Sequence, residues 1–542
     1  MRGRAGRGRR RGASPRRQDG GRGGRSRRAE SPSAREAVEE LLREQLGFRG
    51  FRAGLEVEAG RAAEAAERAP GSRRDLTALS TFTVDPATAR DFDDAVSAQR
   101  EGDGARVWIH IADVAAHVRP GTPLDLEARR RANSTYVPGA VEPMLPHALS
   151  SDACSLAPGV ERLAVTAEIE LGPGAEVRRS RFYRSLIRSD ARLDYDQLDA
   201  IFAGRVRPPE QVAEPLQAAR DVAAALGERR NASSLDVESR EPEFRFDVEG
   251  NVTGAQAVAQ TEAHRLIERL MILTNEQVAQ LLERRRVPAI YRVHAQPDPP
   301  RVEHLLEQLA ALGIPTPPLG RGLAPRGAGE LAAEASRLAR REAERRGHGR
   351  AAYTSLVLRS LKQAQYSERN SGHAGLGSPA YAHFTSPIRR YPDLVAHRAL
   401  LALIGEGETA PRLSECREVA ADSSARERES AKIERGADDV CSAYLLEREL
   451  GERGLDAVFE GEISGVIRAG AFVSFGGELG DVYEGMLPAR RLPGERYELD
   501  RAEVVLSSRG GGATLRLGDP IAVRATGVDT ARGRVDLELV PK

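Results

Sequence analysis

Apolar positions along this chain follow two periods, and the switches between them mark out its elements. "SAREAVEELLREQLG", residues 33–47, has helical spacing: Val38, Leu41 and Leu42 form an apolar stripe, Ser33 and Glu36 make a capping box, and Gly47 ends it. Residues 48–76 are polar enough to predict a connector. From residue 77 the period shortens to two. "STFTVD" (80–85) and "ARVWIHIADVAAHV" (105–118) place β-branched and aromatic residues in near alternation, as strands do. Helical spacing returns over about 188–285, interrupted by a strand pair around "EFRFDVEGNV". "TEAHRLIERLMILTNEQVAQLLERRR" predicts a long amphipathic helix with Leu266, Ile267, Leu270, Ile272 and Leu273 on its apolar face. Residues 318–350 are rich in Gly, Ala, Arg and Pro around a helical middle, and "RERESAKIERGADDVCSAYLLERELGERG" is helical again.

The last segment, 455–542, is strand after strand: "AVFEGEISGVI", "AFVSF", "EGMLP", "DPIAVRATGVD" and "RVDLELV", separated by glycine-containing turns. Five short strands in this length predict a small β-barrel of the OB type, a fold that binds single-stranded nucleic acid through a basic groove and stacking aromatics. With 542 residues the chain exceeds one hydrophobic core, so three or four domains of an α+β multidomain protein are expected.

Charge sharpens this picture at one end. Residues 1–28 hold twelve arginines and one aspartate, about +11, which leaves about −10 for the remainder of a chain whose formal net charge is +1. With no aromatic residue and almost nothing to bury, residues 1–33 are expected to form a disordered basic tail with affinity for phosphates. Arginine stands for lysine nearly everywhere, since only Lys362, Lys432 and Lys542 occur. None of them follows a glycine, so no P-loop nucleotide site is present. Three scattered cysteines make no disulfide or metal framework, and ten histidines show no zinc-like spacing. No apolar run approaches the ~18 residues of a membrane span, and the N-terminus lacks the apolar stretch of a signal peptide. A cytoplasmic, monomeric protein without membrane contact is expected.

Two stretches carry the chemistry. "VDPATARDFDDAV", 84–96, sets Asp85, Asp91, Asp93 and Asp94 inside ten residues, threaded with Val84, Phe92, Ala95 and Val96. A calcium loop is excluded, because no glycine and closing glutamate follow at the required places. A solvated acidic turn and a magnesium site both remain open, the latter because magnesium prefers carboxylate oxygens and phosphoryl transfer commonly uses paired metals. Almost 300 residues on, "YAHFTSPIRRYPDLVAHRAL" predicts a helix with Ser386 at its N-cap and Pro387 in its first position. Arg389 and Arg390 would then face the helix's free N–H groups, an arrangement suited to a phosphate. The alternative is that the arginines stack on Tyr381, Phe384 or Tyr391 or pair with Asp393.

Taken together with "HIADVAAHVRPGTPLDLEARRRANSTYVPGAVEPMLPHALSSDACSL" and "EAHRLIERLMIL", these stretches resemble the RNase II/RNase R family of exoribonucleases over about residues 70–542. The resemblance implies an RNB-type catalytic domain with mixed sheets and surrounding helices over 77–450. A short helix and linker over 34–76 precede it, and an S-one-type OB domain over 455–542 follows. It implies processive, magnesium-dependent hydrolysis of single-stranded RNA from the 3′ end to nucleoside 5′-monophosphates, with manganese as a substitute. Asp85, Asp91, Asp93 and Asp94 match the family's metal-site aspartates, Asp93 the most directly catalytic of them. Arg389 matches an arginine on the scissile phosphate, with Arg390 beside it. Tyr136 matches the tyrosine stacked on the terminal base, Phe244 or Phe246 an opposing aromatic, and Glu268 a contact to ribose 2′-hydroxyls. In the barrel Phe472 remains at an aromatic-rich turn that otherwise reads alanine. The two cold-shock domains usual in the family are not recognisable ahead of residue 77. A catalytically inactive RNA-binding or scaffold protein of the same fold is the rival expectation, and a deoxyribonuclease a third.

Overall fold

The structure is a computed structural model that describes residues 32–68, 72–230, 241–258, 260–319, 323–476 and 482–541. The expected basic tail lies outside them up to residue 31. The first helix, Ala34–Leu46, forms as its pattern predicts: Ser33 and Glu36 close the capping box, and Gly47 ends it in the left-handed region at φ 68°. Residues 48–76 are not a simple connector. They carry a second helix, Ala53–Arg68, in a stretch where alanine and glutamate favour helix and Ala59 and Ala66 supply the buried contacts.

A mixed seven-stranded sheet forms the centre. Its spatial order is Arg74–Asp75, Val177–Arg188, Glu161–Leu171, Gly104–Ala112, Asp94–Glu101, Phe82–Asp85 and Ala191–Asp194. The inner pairs are antiparallel, and the two outermost strands pair in parallel. The helix Glu262–Arg284 lays the predicted apolar residues Leu266, Ile267, Leu270 and Leu273 into the main core beside Val107, Ile109 and Ile111.

A line of polar side chains crosses this sheet from strand to strand. Thr81 Oγ1 meets Ser97 Oγ at 2.7 Å, and Ser97 Oγ meets His110 Nε2 at 3.1 Å. His110 Nδ1 lies 2.8 Å from Thr166 Oγ1, which lies 2.6 Å from Ser185 Oγ. All five residues are fully buried, so each depends on its neighbours for the hydrogen bonds water would otherwise supply.

Toward the C-terminus a 41-residue helix, Leu413–Arg453, runs from the layers around the central sheet to a closed five-stranded barrel. The barrel order is Val458–Ile467, Gly470–Phe475, Tyr483–Pro488, Arg534–Leu539 and Pro520–Asp529. Phe459, Val473, Phe475, Leu487 and Leu537 fill it, and Leu446 and Leu450 of the long helix complete the same core. At Gly533 a Cβ would stand 2.6 Å from the Asp439 backbone, so only glycine lets the barrel approach the helix this closely. A small three-stranded sheet, Tyr497–Leu499, Val505–Ser508 and Thr514–Arg516, branches from the barrel. No helix among the described residues is long and apolar enough to cross a membrane.

Burial pushes the His110 imidazole down to about 3. Below the free value of about 6.5 the unfolded chain binds a proton there that the folded chain refuses, so this contribution is complete above that pH and is lost as pH falls. Between pH 7 and 5 the wild type is expected to lose about 2 kcal/mol more stability than His110→Gln, compared through the pH dependence of their urea midpoints.

Candidate active site

The aspartate stretch bridges two antiparallel strands of the central sheet. Asp85 closes Phe82–Asp85 and Asp94 opens Asp94–Glu101, so both stand at the same end of the sheet with Asp91 and Asp93 in the loop between. The loop is tied down from within. Phe92 is 7% exposed, its N–H donates to Ser155 Oγ at 3.0 Å, and its carbonyl accepts from Leu156 N–H at 3.0 Å. The Asp93 carbonyl accepts from Ala112 N–H at 2.9 Å. An apolar residue threaded between the carboxylates thus anchors them, where a solvated turn would leave them free.

The second motif meets the first across the core. Ile388 N–H donates to Asp93 Oδ1 at 2.9 Å, and Arg389 Nε stands 3.4 Å from Asp93 Oδ2. The expected helix start at Ser386 and Pro387 is not what forms. The helix is Tyr391–Leu403, with Arg390 at its N-cap and a proline in its first turn. Residues 386–390 instead make a turn in which the Ser386 carbonyl accepts from Arg390 N–H at 3.0 Å. Asp393 decides this: its Oδ1 accepts from Ser386 N–H at 2.8 Å, which pulls the segment back over the helix end. Pro392 contributes because it has no N–H to donate to the Ile388 carbonyl, so a helix begun at Ser386 cannot run through it unbroken.

The two arginines therefore part company. Arg390 forks onto Asp393, Nε to Oδ2 at 2.9 Å and Nη2 to Oδ1 at 2.8 Å, and Asp393 is fully buried. Arg389 keeps its side chain 48% exposed toward the pocket, held by Asp93 and by a 3.2 Å bond to Ser386 Oγ.

These groups surround a pocket of about 500 Å³. All four aspartates, Tyr136, Glu268, Arg389 and Arg390 line it, so the structure brings together most of the residues singled out in the sequence. Tyr136 lies on the short strand Thr135–Val137 at the rim, 40% exposed, its hydroxyl donating to Asp91 Oδ2 at 2.9 Å. Glu268 comes from the Glu262–Arg284 helix with Ile267, Met271, Ile272 and Asn275. Phe244 and Phe246 are elsewhere: they belong to a two-stranded ribbon, Glu241–Phe246 with Val252–Val258, and pack on Val38, Leu42, Val137 and Ile433. Phe472 lies on the barrel, 36% exposed.

Sequence reasoning missed Tyr195 and Asn275 and gave Tyr381 only a stacking role. Tyr195 begins the helix Tyr195–Phe202, and its ring stacks on His264 at 3.9 Å between centroids. The Asp194–Gln197 capping box in "LDYDQL" marks that helix start, but nothing local says that Tyr195 faces a carboxylate cluster. Buried Asn275 donates to the Tyr381 hydroxyl at 3.0 Å and accepts from Phe384 N–H at 2.9 Å, which holds the 381–386 segment against the helix.

Electrostatically the pocket is poised for a cation. Burial raises the carboxyls of Asp85, Asp93 and Asp94 above the usual carboxylate range, the neighbouring aspartates raise Asp85 and Asp93 further, and Arg389 offsets part of the effect. Asp85 Oδ2 is buried with no hydrogen-bond donor among the described residues. No three His, Cys, Asp or Glu side chains among those residues converge tightly enough to enclose a metal ion. The groups present are hard carboxylate oxygens, with Asp85 Oδ2 lacking a donor, which is the donor type that a divalent cation such as magnesium takes.

The RNB domain profile matches residues 73–406, and the chain belongs to that family. Among curated relatives it is 34% identical to Ribonuclease R of Escherichia coli (strain K12) over 499 residues, covering 89% of this chain and 59% of that protein. It is 36% identical to Ribonuclease R of Aquifex aeolicus (strain VF5) over 484 residues, 87% of this chain and 65% of that one. The chain thus spans about three fifths of the length of the curated relatives it matches. RNase R of Mycoplasma genitalium, solved in complex with ribose-methylated single-stranded RNA, superposes with a TM-score of 0.84 at 26% identity, covering 94% of this chain and 78% of that one.

Arg390→Ala leaves Asp393 buried without its cation and is expected to cost about 3 kcal/mol, read as a lowered urea midpoint. Removing both charges in Arg390→Met/Asp393→Leu should recover part of that cost.

Proposed function

We propose that the protein is a magnesium-dependent 3′–5′ exoribonuclease that processively hydrolyses single-stranded RNA to nucleoside 5′-monophosphates. The observation that carries this reading is the approach of Arg389 to Asp93 across a pocket rimmed by Tyr136. A cation for phosphate, carboxylates for a metal and an aromatic face for a base then share one cavity large enough for a nucleotide. The relatives named Ribonuclease R and the RNA complex of the Mycoplasma protein support RNA as the ligand.

In this reading Asp85, Asp91, Asp93 and Asp94 would hold magnesium, some directly and the others through water, and the metal would activate water and stabilise charge on the phosphate. Manganese is the expected substitute. The residues of the chain do the rest. Arg389 faces the scissile phosphate, where its fixed guanidinium favours the extra negative charge of the transition state without reorganising. The Ile388 N–H and the anchored loop keep the Asp93 carboxylate aimed at that point. Tyr136 presents its ring to the terminal base, which fixes the cut at a set distance from the 3′ end. Glu268 accepts from ribose 2′-hydroxyls, the group that separates RNA from DNA. Arg390 acts through Asp393 by shaping the turn that carries Arg389. Phe244 and Phe246, packed behind the Tyr136 strand, support the clamp from the rear. The barrel acts as an S-one-type OB domain, with Phe472 as a stacking surface for the incoming strand. The domains are then a basic tail to residue 33, two helices to 76, the catalytic domain over 77–450 and the barrel over 455–542.

The test is digestion of 5′-labelled single-stranded RNA with magnesium. Wild type should shorten it from the 3′ end with release of nucleoside 5′-monophosphates, and EDTA should stop the reaction. Asp93→Asn and Arg389→Ala should each lower kcat by roughly 100-fold or more while the RNA still binds. Wild type that binds the RNA and leaves it intact would establish the inactive scaffold instead.

A further inference from the structure

One hydroxyl on the pocket wall carries a proton that no group of the described chain accepts. Tyr381 lines the cavity and is 7% exposed. Its oxygen receives a hydrogen bond from Asn275 Nδ2 at 3.0 Å. The direction of that bond is settled by the other end of the amide: Asn275 Oδ1 takes the Phe384 backbone N–H at 2.9 Å, and a backbone N–H only donates. The amide thus turns its NH2 to Tyr381, and the tyrosine oxygen is the acceptor. Among the described residues this is the one hydrogen bond of the Tyr381 hydroxyl, so its own proton is unplaced.

The ring that carries the hydroxyl is held on both sides. His373 and His383 meet it in T-shaped contacts with centroids 5.4 and 5.7 Å away, and the Tyr381 carbonyl accepts from Arg292 N–H at 2.9 Å. Burial raises the phenol above its usual value, so it stays protonated through the neutral range. A buried O–H without a partner forfeits the hydrogen bond that water would give it. Asn275 and Tyr381 both line the cavity, so the open side of this pair is the cavity itself and a bound ligand supplies the acceptor.

The chain of donors runs one way, from the Asn275 amide to the Tyr381 hydroxyl to the ligand. Each bond polarises the next, and the last is strongest to an anionic oxygen. Arg389 follows eight residues later on the same segment and lines the same cavity. We propose that Tyr381 is a substrate-binding residue whose hydroxyl donates to a phosphate oxygen of the bound RNA, with Asn275 as the positioning residue that aims it. The proposal rests on the exoribonuclease reading for what fills the pocket. A further cation in its place would compete with the metal for the aspartates, whereas a neutral phenol holds a phosphate oxygen without that competition.

The experiment measures binding of a single-stranded RNA of about 5 nucleotides by fluorescence anisotropy, in EDTA so that nothing is cut, and then cleavage with magnesium. Tyr381→Phe keeps the ring and should raise Kd roughly tenfold, the size of one lost hydrogen bond to a charged group. Because this change also strips Asn275 of its acceptor, a second variant retains the hydroxyl by placing 3-fluorotyrosine at position 381. Fluorine makes the phenol a better donor and a poorer acceptor. A hydroxyl that donates to phosphate should then bind the RNA about twofold tighter than wild type. One that only receives the Asn275 bond should bind it equally or less well, and that result would overturn the proposal, as would an unchanged Kd for Tyr381→Phe. An RNA whose last nucleotide is 2′-deoxy separates phosphate from ribose: the effect of Tyr381→Phe should persist there, and its disappearance would move the contact to the ribose and end the phosphate assignment. Wild type that binds RNA without cleaving it would end the exoribonuclease reading and leave these Kd comparisons intact. Wild type that cleaves, beside a Tyr381→Phe protein that binds and cleaves equally well, would remove the role of Tyr381 alone.

Discussion

Four carboxylates sharing one end of a sheet repel one another, and burial makes Asp85, Asp93 and Asp94 harder to ionise. Everything around the pocket answers to that constraint. The loop is fastened by Phe92 in the core and by backbone bonds to Ala112 and Leu156, so the aspartates cannot spread apart to relieve the repulsion. Compensation comes from far along the chain: the Ile388 N–H and the Arg389 guanidinium approach Asp93 from a turn almost 300 residues away. What remains uncompensated, the bare Asp85 Oδ2 and the raised carboxyls, is a deficit of positive charge.

Holding that turn in place takes a second buried ion pair. Asp393 is fully buried, binds Arg390 through both carboxylate oxygens, and reaches back to Ser386 N–H. Such a pair adds little net stability, since desolvation cancels much of the attraction. Its value is positional. With Arg390 tied to Asp393, Arg389 keeps the more exposed of the two side chains on the pocket wall, 48% against 23%.

The long helix Leu413–Arg453 joins the site to the barrel. Its Ser430 Oγ accepts from Asn133 Nδ2 at 2.9 Å, and its Glu434 Oε1 accepts from Tyr136 N–H at 3.0 Å. More than three turns further along, Leu446 and Leu450 are part of the barrel core. The rim of the pocket and the five-stranded barrel are thus attached to one continuous rod, and the N-terminal helix is packed against the same rod through Ile433, Ala437 and Cys441.

Much of this was legible in the residues themselves. Period-two and helical spacing located the strands and the amphipathic helices, a capping box placed the first helix to the residue, and the aspartate, tyrosine and arginine motifs converge on one pocket. Those are local or motif-borne properties. The second helix at Ala53–Arg68 was not legible, because alanine and glutamate without an apolar stripe look like connector until small buried contacts are known. Nor was the start of the helix after "SPIRR": a local cap preference at Ser386 lost to Asp393, whose carboxylate takes the Ser386 N–H from seven residues away. The different partners of Arg389 and Arg390, the packing of Phe244 and Phe246 behind the Tyr136 strand, and the presence of Tyr195 in the pocket were decided by tertiary structure alone. Sequence by itself determined which chemical groups were available and how each segment is inclined to fold. Which of them meet, and at what distance, depended on packing between segments hundreds of residues apart, and no periodicity encodes that.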